Sequence, residues 1–263
     1  MIIHTARIPY KYGQTIRIKP LADIHLGNQH CDERAAKAWI DEDPECYFLG
    51  NGDLLDCVIV SDLKRYRKTS DATVGDEVID EQIDKMISWL SPHKERIIGL
   101  GTGNHCDNIT RRCGTNPIKR ICDALNVMYL GYSSMVRLIL REDEGRGRTV
   151  VFYLHHGYGG GSRTQGADIT KYSKIMNHFD ADVYLLGHVH KKQSDRIPRL
   201  SISGDKLISR PRILGITGSF LKTYSKGPES SYAERAGYPP TELGGIIINI
   251  KPNTTWVDLS VDL

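Results

Sequence analysis

With 263 residues, of which 40% are hydrophobic and 25% charged, the chain has the composition of an ordinary globular protein that can enclose a substantial core. Its formal net charge of +3 is too small for bulk charge to indicate nucleic acid or a membrane surface as the partner. The six cysteines form no C-x-x-C pair, which disfavours a zinc knuckle or a thioredoxin-like motif and favours reduced thiols.

The sequence gives no sign of export or membrane insertion. Its start lacks the apolar region of a signal peptide, and no apolar run approaches the ~20 residues that span a bilayer. We therefore expect a cytoplasmic protein without a membrane partner. Because no repeat or linker divides the chain, we expect one domain over residues 1–263, with an insertion or substrate loop near residues 222–243.

Strands and helices alternate through the first two thirds of the chain. Apolar runs predict strands at residues 16–25, 46–49, 96–101, 127–140, 149–154 and 183–186. Apolar residues spaced three and four apart predict a helix over residues 74–90, and shorter helices are predicted at residues 32–41, 116–125 and 168–179. The last third is predicted to be mainly β, with strands near residues 196–203, 206–217, 245–250 and 255–261. These elements predict an α/β fold, a layered sandwich of two mixed β-sheets flanked by helices.

Five of the predicted strands end on side chains that commonly bind metals. The strand ends are Asp23-Ile24-His25, Gly52-Asp53-Leu54-Leu55-Asp56, Gly103-Asn104-His105, His155-His156-Gly157 and Gly187-His188-Val189-His190. A single Asp at a strand end is more often a turn or helix cap, so no one motif is specific. Ligands in α/β sheets gather beyond the carboxyl ends of the strands, where all five motifs fall. Together the motifs predict one site.

This set of ligand types predicts a two-metal hydrolase. Two divalent cations about 3.5–4 Å apart can hold a hydroxide between them and phosphoryl oxygens against them. Mixed imidazole, carboxylate and amide ligands suit Mn, Fe, Zn or Co better than calcium. We expect two such ions, with Mn favoured, and hydrolysis of a phosphate ester by attack of the hydroxide that bridges them.

The order of these motifs resembles that of the calcineurin-like metallophosphoesterase superfamily, whose pattern is D-x-H, G-D-x-x-D, G-N-H-D/E, a strand-end H and G-H-x-H. The resemblance covers roughly residues 16–190 and implies a metallophosphoesterase-like fold. It also implies the ligands: one metal would be held by Asp23, His25 and His190, the other by Asn104, His188 and the histidine of the fourth motif, with Asp53 bridging both.

The resemblance implies further roles for two residues of the second and third motifs. His105 would approach the phosphate and protonate the leaving oxygen as a general acid. Asp56 would orient the His105 ring or a metal ligand. Cys106 stands where the family has Asp or Glu after G-N-H, so Asp56 or Asp107 would have to orient His105 instead.

Two histidines are candidates for the ligand in the fourth motif. Family members with H-x-G or H-x-P at this strand end imply His155, whereas an H-G pattern implies His156. We favour His155 as the ligand, with His156 facing the substrate or packing in the interior.

Candidate substrate contacts lie outside the motifs. Arg111 and Arg112 follow His105 closely, and Arg163 ends a glycine-rich loop, so each could reach a phosphate, although surface charge explains them equally well. The basic stretch at residues 64–68 and the tyrosines of residues 222–243 favour a nucleotide or nucleic acid ligand, although a solvated surface is the simpler interpretation of the basic stretch.

The second and third motifs narrow the kind of phosphoesterase. A Ser/Thr protein phosphatase is disfavoured, because Cys57-Val58 follows Asp56 and Cys106 follows His105. We expect a phosphodiesterase or phosphatase, with a nuclease acting on DNA or RNA as the alternative. A scaffold that uses the same fold only to bind a partner is the alternative of another class, and it is disfavoured because all seven ligand positions are occupied.

Overall fold

The structure is a computed structural model, and it describes residues 1–11, 13–59, 78–141, 147–227, 230–253 and 256–263. The basic stretch at residues 64–68 lies outside the described residues, as do the first four residues of the helix predicted at residues 74–90. Among the described residues, no helix is both long enough and apolar enough to cross a lipid bilayer.

Fifteen strands and six α-helices are described in this part of the chain. In chain order they are β1 (Ile2–Pro9), β2 (Ile16–Leu21), α1 (Glu33–Asp41), β3 (Tyr47–Asn51), α2 (Val78–Leu90), β4 (Ile97–Gly101), α3 (Asn104–Cys113), α4 (Pro117–Leu125), β5 (Tyr129–Gly131), β6 (Ser133–Arg141), β7 (Arg148–His155), α5 (Ala167–Ser173), β8 (Val183–Leu186), β9 (Lys192–Ile197), β10 (Leu200–Ser203), β11 (Lys206–Ser209), β12 (Arg212–Ser219), α6 (Tyr232–Arg235), β13 (Gly244–Gly245), β14 (Ile247–Pro252) and β15 (Val257–Asp262). Short 3₁₀ helices follow α2 and α5.

Two mixed sheets dominate the architecture, which confirms the predicted fold class. One sheet has the strand order β1-β6-β7-β8-β12-β13, with β9 also paired to β12. The other has the order β15-β14-β2-β3-β4-β5, and β2, β3, β4 and β5 run parallel to one another. In the first sheet β7, β8 and β12 are parallel. Strands β10 and β11 form a separate hairpin.

The apolar residues form three buried layers. The central layer lies between the two sheets and includes Leu49 of β3 and Phe152 of β7. A second layer packs α1, α2, α3 and α4 against the outer face of the β2–β5 sheet. A third packs α5 and the 3₁₀ helix after it against the outer face of the other sheet. Strand β8 is apolar throughout because both of its faces are buried: Leu185 faces the central layer and Tyr184 faces the outer one.

Several element boundaries differ from the predicted ones for local reasons. The strand predicted at residues 127–140 is two strands, β5 and β6, which belong to different sheets, and Gly131 between them has a left-handed φ of 70°. Pro211 separates β11 from β12, where one strand was predicted. Helix α3 was not predicted, because only Cys106 and Ile109 of its ten residues are buried and they give no apolar stripe.

Helices α1 and α4 begin at the capping residues that the sequence supplies. The carboxylate of Asp32 accepts a hydrogen bond from the Ala35 backbone N–H at the start of α1. Asn116 caps α4 in the same way through the Lys119 N–H, and Pro117 occupies the first turn. Residues 222–243 were predicted to be an insertion or substrate loop, and in their described part, 222–227 and 230–243, the single turn α6 is the one helix or strand.

Candidate metal centre

The structure places the five motifs where parallel strands end. Asp23 and His25 follow β2, Asp53 and Asp56 follow β3, and Asn104 opens α3 after β4. In the facing sheet His156 follows β7, and His188 and His190 follow β8. The carboxyl ends of neighbouring parallel strands meet at one edge of a sheet, so each sheet brings its own motifs together.

Backbone hydrogen bonds fasten these strand ends to one another. The N–H of Asp23 donates to the Gly52 carbonyl at 3.1 Å, and the N–H of His25 donates to the Asp53 carbonyl at 3.0 Å. The N–H of Gly187 donates to the His156 carbonyl at 2.8 Å. The first and second motifs are thus joined in one sheet, and the fourth and fifth in the other.

The motif backbones adopt conformations that side chains other than glycine rarely take. Seven described residues other than glycine have positive φ, and five of them are predicted ligands: Asp23, His25, Asp53, His188 and His190. Left-handed conformations of this kind cost free energy, and they cluster at functional sites where the surrounding structure enforces them. The positive φ values of the described residues are thus concentrated at the strand ends that carry the predicted ligands.

One cluster of possible ligand atoms combines Asp23, His25 and His190, whose ligand atoms all lie within 4.8 Å of one another. The Nε2 atoms of His25 and His190 are 3.1 Å apart, and Asp23 Oδ1 lies 3.6 Å from His190 Nε2. On the other side of the His25 ring, Nδ1 is 3.3 Å from Asp56 Oδ1. A carboxylate behind a histidine fixes the ring and raises its basicity as a ligand.

A second cluster combines Asp53, His156 and His188. His156 Nε2 lies 3.0 Å from Asp53 Oδ2 and 3.0 Å from Asn104 Oδ1. Because a carbonyl oxygen can only accept, His156 Nδ1 donates to the Asn51 carbonyl at 3.0 Å, which directs Nε2 toward the cluster. The His188 ring lies edge-on to the His156 ring, with centroids 5.3 Å apart.

The geometry favours His156 over His155, the histidine that we favoured from the sequence. His156 is fully buried in the second cluster, whereas the His155 ring lies among the rings of Tyr132, Tyr153 and Tyr158. His155 Nδ1 accepts a hydrogen bond from the Gly157 N–H at 2.9 Å. The cause is strand alternation: His155 lies two residues after Tyr153, which faces the outer layer of its sheet.

His105 lies beside both clusters with 15% of its side chain exposed. Its Nδ1 donates to the backbone carbonyl of Asp56 at 2.6 Å, and Asp56 Oδ1 is 3.5 Å away. The Nε2 atom is the ring nitrogen on the cluster side, 4.0 Å from Asp53 Oδ2. Neither Cys106 nor Asp107 provides these ring contacts: the Cys106 thiol lies 3.4 Å from the Cys57 thiol, and Asp107 pairs with Arg111.

Two glycines leave room for the carboxylates of the clusters. A Cβ atom on Gly103 would lie 2.2 Å from Asp53 Oδ1, and one on Gly187 would lie 2.7 Å from Asp23 Oδ2. Both distances are too short for any side chain to be accepted without displacing the carboxylate. The glycines in G-N-H and G-H-x-H therefore allow the backbone to approach these two groups closely.

Burial and mutual charge shift the acid–base properties of the clusters. Burial raises the pKa of Asp23 to about 6, and burial lowers the pKa of His188 to about 4. Burial also lowers the pKa of His190 well below its ordinary range. Burial alone would lower the pKa of His156, but the Asp53 carboxylate outweighs it and raises that pKa to about 9.

The predicted substrate arginines are not brought into the clusters. Arg111 is 77% exposed and pairs with Asp107 one turn earlier on α3, and Arg112 is an exposed residue of the same helix. Arg163 donates to the carbonyls of Ala236 and Gly237. Arg163 therefore joins the glycine-rich loop to residues 222–243, and its predicted contact with a phosphate stays a prediction.

Sequence reasoning missed the groups that act through their backbone. The Asn51 carbonyl orients His156, and the Asp56 carbonyl orients His105. Asp23 is further held through its own carbonyl, which accepts from the Ser219 hydroxyl at 2.8 Å and from the Phe220 N–H at 3.1 Å. A sequence motif records side chains, so no signal in the sequence marks these contacts.

Comparison with known proteins yields weak structural similarity only. No protein-family model and no curated protein sequence matches the chain. The chain is similar to a predicted phosphoesterase from Streptococcus pneumoniae TIGR4, with 12% identity and a TM-score of 0.33 over 94% of this chain and 89% of that chain. It is similar to a Vps29 double mutant from Entamoeba histolytica, with 14% identity and a TM-score of 0.31 over 68% and 87% of the two chains. It is also similar to GAP50, the anchor in the inner membrane complex of Plasmodium, with 10% identity and a TM-score of 0.40 over 94% and 84%. All three TM-scores lie below 0.5, so the function is inferred from the side chains of the site.

Proposed function

We propose that the protein is a metal-dependent phosphoesterase whose two His/Asp clusters each hold one divalent cation. The observation that carries the proposal is the convergence of two groups of ligand atoms, each within 4.8 Å, from strand ends of both sheets. One ion would be held by Asp23, His25 and His190. The other would be held by Asn104, His156 and His188, and Asp53 would bridge the two.

The burial and hydrogen bonding of the Asp23 carboxylate support a bound cation at the first cluster. Its Oδ2 accepts the His188 N–H at 2.8 Å, whereas Oδ1 is buried and has no hydrogen-bond partner in the described part of the chain. A buried carboxylate oxygen without a partner is costly, and a bound cation removes that cost. The raised pKa of Asp23, which burial brings to about 6, has the same origin.

The histidines of the two clusters are suited to metal binding. Two of them are neutral at neutral pH, and the other two are oriented by neighbouring oxygens. The lowered pKa values of His188 and His190, caused by burial, keep both imidazoles unprotonated at neutral pH. His25 and His156 each have one ring nitrogen held by a neighbouring oxygen, which leaves Nε2 toward its cluster. Mixed imidazole, carboxylate and amide ligands suit Mn, Fe, Zn or Co, and we favour Mn.

Divalent cations at such a site would polarise phosphoryl oxygens and lower the pKa of bound water, which would make a hydroxide nucleophile available at neutral pH. The protein itself supplies the positioned acid. His105 Nδ1 is fixed by the Asp56 carbonyl, so a proton given to the leaving oxygen would come from Nε2. The ring is partly exposed, which leaves an approach for a substrate from solvent.

The direct test combines metal analysis with hydrolysis. The purified chain is dialysed against each candidate metal, bound metal is counted by mass spectrometry, and turnover of bis-(p-nitrophenyl) phosphate and p-nitrophenyl phosphate is measured. We expect two equivalents of metal per chain and turnover that a chelator abolishes. A chain that takes up no transition metal and shows no metal-dependent turnover would be a scaffold instead.

The substrate class requires a separate screen with the best metal. Nucleotides, cyclic nucleotides, phosphosugars and single-stranded DNA or RNA separate a small-molecule phosphoesterase from a nuclease. Among the tyrosines predicted to stack on a base, Tyr224 donates its hydroxyl to the Tyr238 carbonyl, and the Tyr232 and Tyr238 rings lie 6.5 Å apart. Because the net charge of +3 is too small to indicate nucleic acid as the partner, we propose the small-molecule phosphoesterase first and the nuclease second.

A further inference from the structure

Tyr132 lies beside the metal centre but belongs to none of the five motifs. It immediately precedes β6, and the antiparallel register that pairs Ser133 with His155 continues to Tyr132 and His156. The His156 N–H donates to the Tyr132 carbonyl at 3.3 Å, which extends the ladder by this pair. Cross-strand partners in an antiparallel ladder project from the same face of the sheet. Tyr132 therefore projects on the face that carries His156.

The ring of Tyr132 lies against the histidines of the fourth motif. Its centroid is 5.7 Å from that of His156 and 5.4 Å from that of His155, edge-on to both. The side chain is half-buried, so it borders both the cluster and solvent.

The hydroxyl of Tyr132 differs from those of the neighbouring tyrosines. The Tyr129 hydroxyl accepts a hydrogen bond from Asn116, and the Tyr172 hydroxyl donates to the Gly187 carbonyl. Within the described residues, no protein group is hydrogen-bonded to the Tyr132 hydroxyl. A half-buried donor without a protein partner is available to a ligand.

The hydroxyl of Tyr132 is a neutral group that can donate a hydrogen bond to an anionic oxygen. Its ring lies against the ring of His156, at the edge of the second cluster. Of the charged side chains considered as substrate contacts, Arg111 is paired with Asp107.

We propose that Tyr132 donates a hydrogen bond from its hydroxyl to a non-bridging phosphoryl oxygen of the substrate. The proposal rests on the proposed function, since it requires a phosphate ester at the two clusters. It assigns a substrate-binding role to a residue that no motif identifies. The ring itself packs against His155 and His156, so removing the hydroxyl alone leaves this packing in place.

The variant Tyr132→Phe tests the proposal, with Tyr129→Phe as the matched control. Both variants remove one phenol oxygen, and Tyr129 lies three residues earlier with its hydroxyl on Asn116. Binding of inorganic phosphate to the Mn²⁺-loaded protein is measured by calorimetry, together with bound metal and thermal unfolding. Tyr132→Phe should weaken phosphate binding about 10- to 100-fold, the usual cost of a hydrogen bond to a charged group. Its metal content and unfolding should match wild type, and Tyr129→Phe should bind phosphate as wild type does.

A kinetic comparison locates the contact on the phosphoryl group. Tyr132→Phe should slow hydrolysis of p-nitrophenyl phosphate and of phenyl phosphate by the same factor, because a non-bridging oxygen is common to both. A larger loss for the poorer leaving group would place the hydroxyl at the leaving oxygen and overturn the proposal.

The outcomes separate this proposal from the proposed function. If wild type binds phosphate and hydrolyses esters while Tyr132→Phe does both equally well, the role of Tyr132 is refuted and the phosphoesterase stands. If the Mn²⁺-loaded wild type neither binds phosphate nor hydrolyses any ester, both are refuted. Loss of metal from Tyr132→Phe would show that the hydroxyl supports the metal centre, and it too would overturn the proposal.

Discussion

The carboxylate of Asp23 accepts a hydrogen bond from the backbone N–H of His188 at 2.8 Å, which joins the first motif of one sheet to the last motif of the other. The two residues are 165 positions apart in the chain. This bond uses Oδ2 and leaves Oδ1 buried toward His25 and His190. A single side chain thus ties the two sheets together and presents one oxygen to the first cluster.

Replacing Asp23 should empty the first cluster. We expect Asp23→Ala to lose about one of two metal equivalents, because the variant lacks the only carboxylate of the Asp23, His25 and His190 group and its tie to His188. Bound metal per chain, counted by mass spectrometry after dialysis, checks this. Asp180→Ala is the control, since Asp180 is 83% exposed and forms ion pairs with Arg199 and Arg212 at the surface. Full metal content in Asp23→Ala would show that this cluster holds no ion.

The adjacent histidines of the fourth motif offer a matched pair. His156→Ala should reduce metal binding at the second cluster, since His156 Nε2 lies 3.0 Å from Asp53 Oδ2. His155→Ala should keep its metal, because His155 Nδ1 accepts from the Gly157 N–H and its ring lies among tyrosines. The same metal count on the two variants distinguishes them. The reverse pattern would restore His155 as the ligand.

The negative charge of Asp53 should be required for metal binding at both clusters. Asp53 Oδ1 accepts the His105 N–H at 3.0 Å, so Asn can keep that contact while its amide nitrogen replaces Oδ2. We expect Asp53→Asn to abolish turnover and to impair occupancy of both metal positions. Asp123→Asn is the control, because Asp123 is exposed and pairs with Lys119 on α4. Retained activity in Asp53→Asn would count against a bridging carboxylate.

Much of this fold could be predicted from the sequence because strands in a layered α/β protein are marked by their apolar runs. The strands before the first, second, third and fifth motifs, β2, β3, β4 and β8, are buried, and each ends on its motif as expected. The switch between β5 and β6 could not be predicted, since both halves of residues 129–141 are β-forming. Which sheet a strand joins is decided by pairing partners far away in the chain.

The choice between His155 and His156 also depends on tertiary structure that the sequence does not reveal. A strand with one polar face reveals its orientation by alternation, but Phe152, Tyr153 and Leu154 are all buried. Both faces of β7 are covered, so the pattern of polar and apolar residues does not indicate which histidine faces the clusters. The orientation of His105 was equally hidden, because its ring is held by the Asp56 backbone carbonyl, which any residue at that position would supply.

Replacing His105 should slow hydrolysis without removing the bound metal. We expect His105→Ala to keep both metals and to slow hydrolysis by ~10²–10⁴-fold, the range for a lost general acid. The loss should shrink for esters with good leaving groups, which need no proton. His178→Ala, at an exposed position after α5, should be unchanged. Metal loss in His105→Ala, or equal slowing for all leaving groups, would remove the proton-donor role.

The metal-free protein should lose stability as the pH rises through the range in which His156 titrates. Burial lowers the pKa of His156, but the Asp53 carboxylate outweighs it and raises the pKa from 6.5 to about 9. Between these values the folded chain binds more protons than the unfolded chain, so the free energy of unfolding falls with increasing pH. The pKa of His25 is also raised: burial opposes the shift, and its hydrogen bond with Asp56 and the nearby carboxylates prevail, so His25 adds to the same trend.

Urea unfolding of the metal-free protein at pH 6.5 and pH 9 measures this effect. His156→Gln should show a smaller decline in the free energy of unfolding than wild type. This difference isolates His156 from the thiols of Cys31, Cys46 and Cys122, whose pKa values are raised by burial and act in the same direction at higher pH. Because a metal binds the neutral imidazole, stabilisation by added Mn²⁺ should grow over the same pH range in wild type. A metal-free wild type that is more stable at pH 9, or an equal decline in His156→Gln, would show that Asp53 and His156 do not form a charged pair in the folded chain.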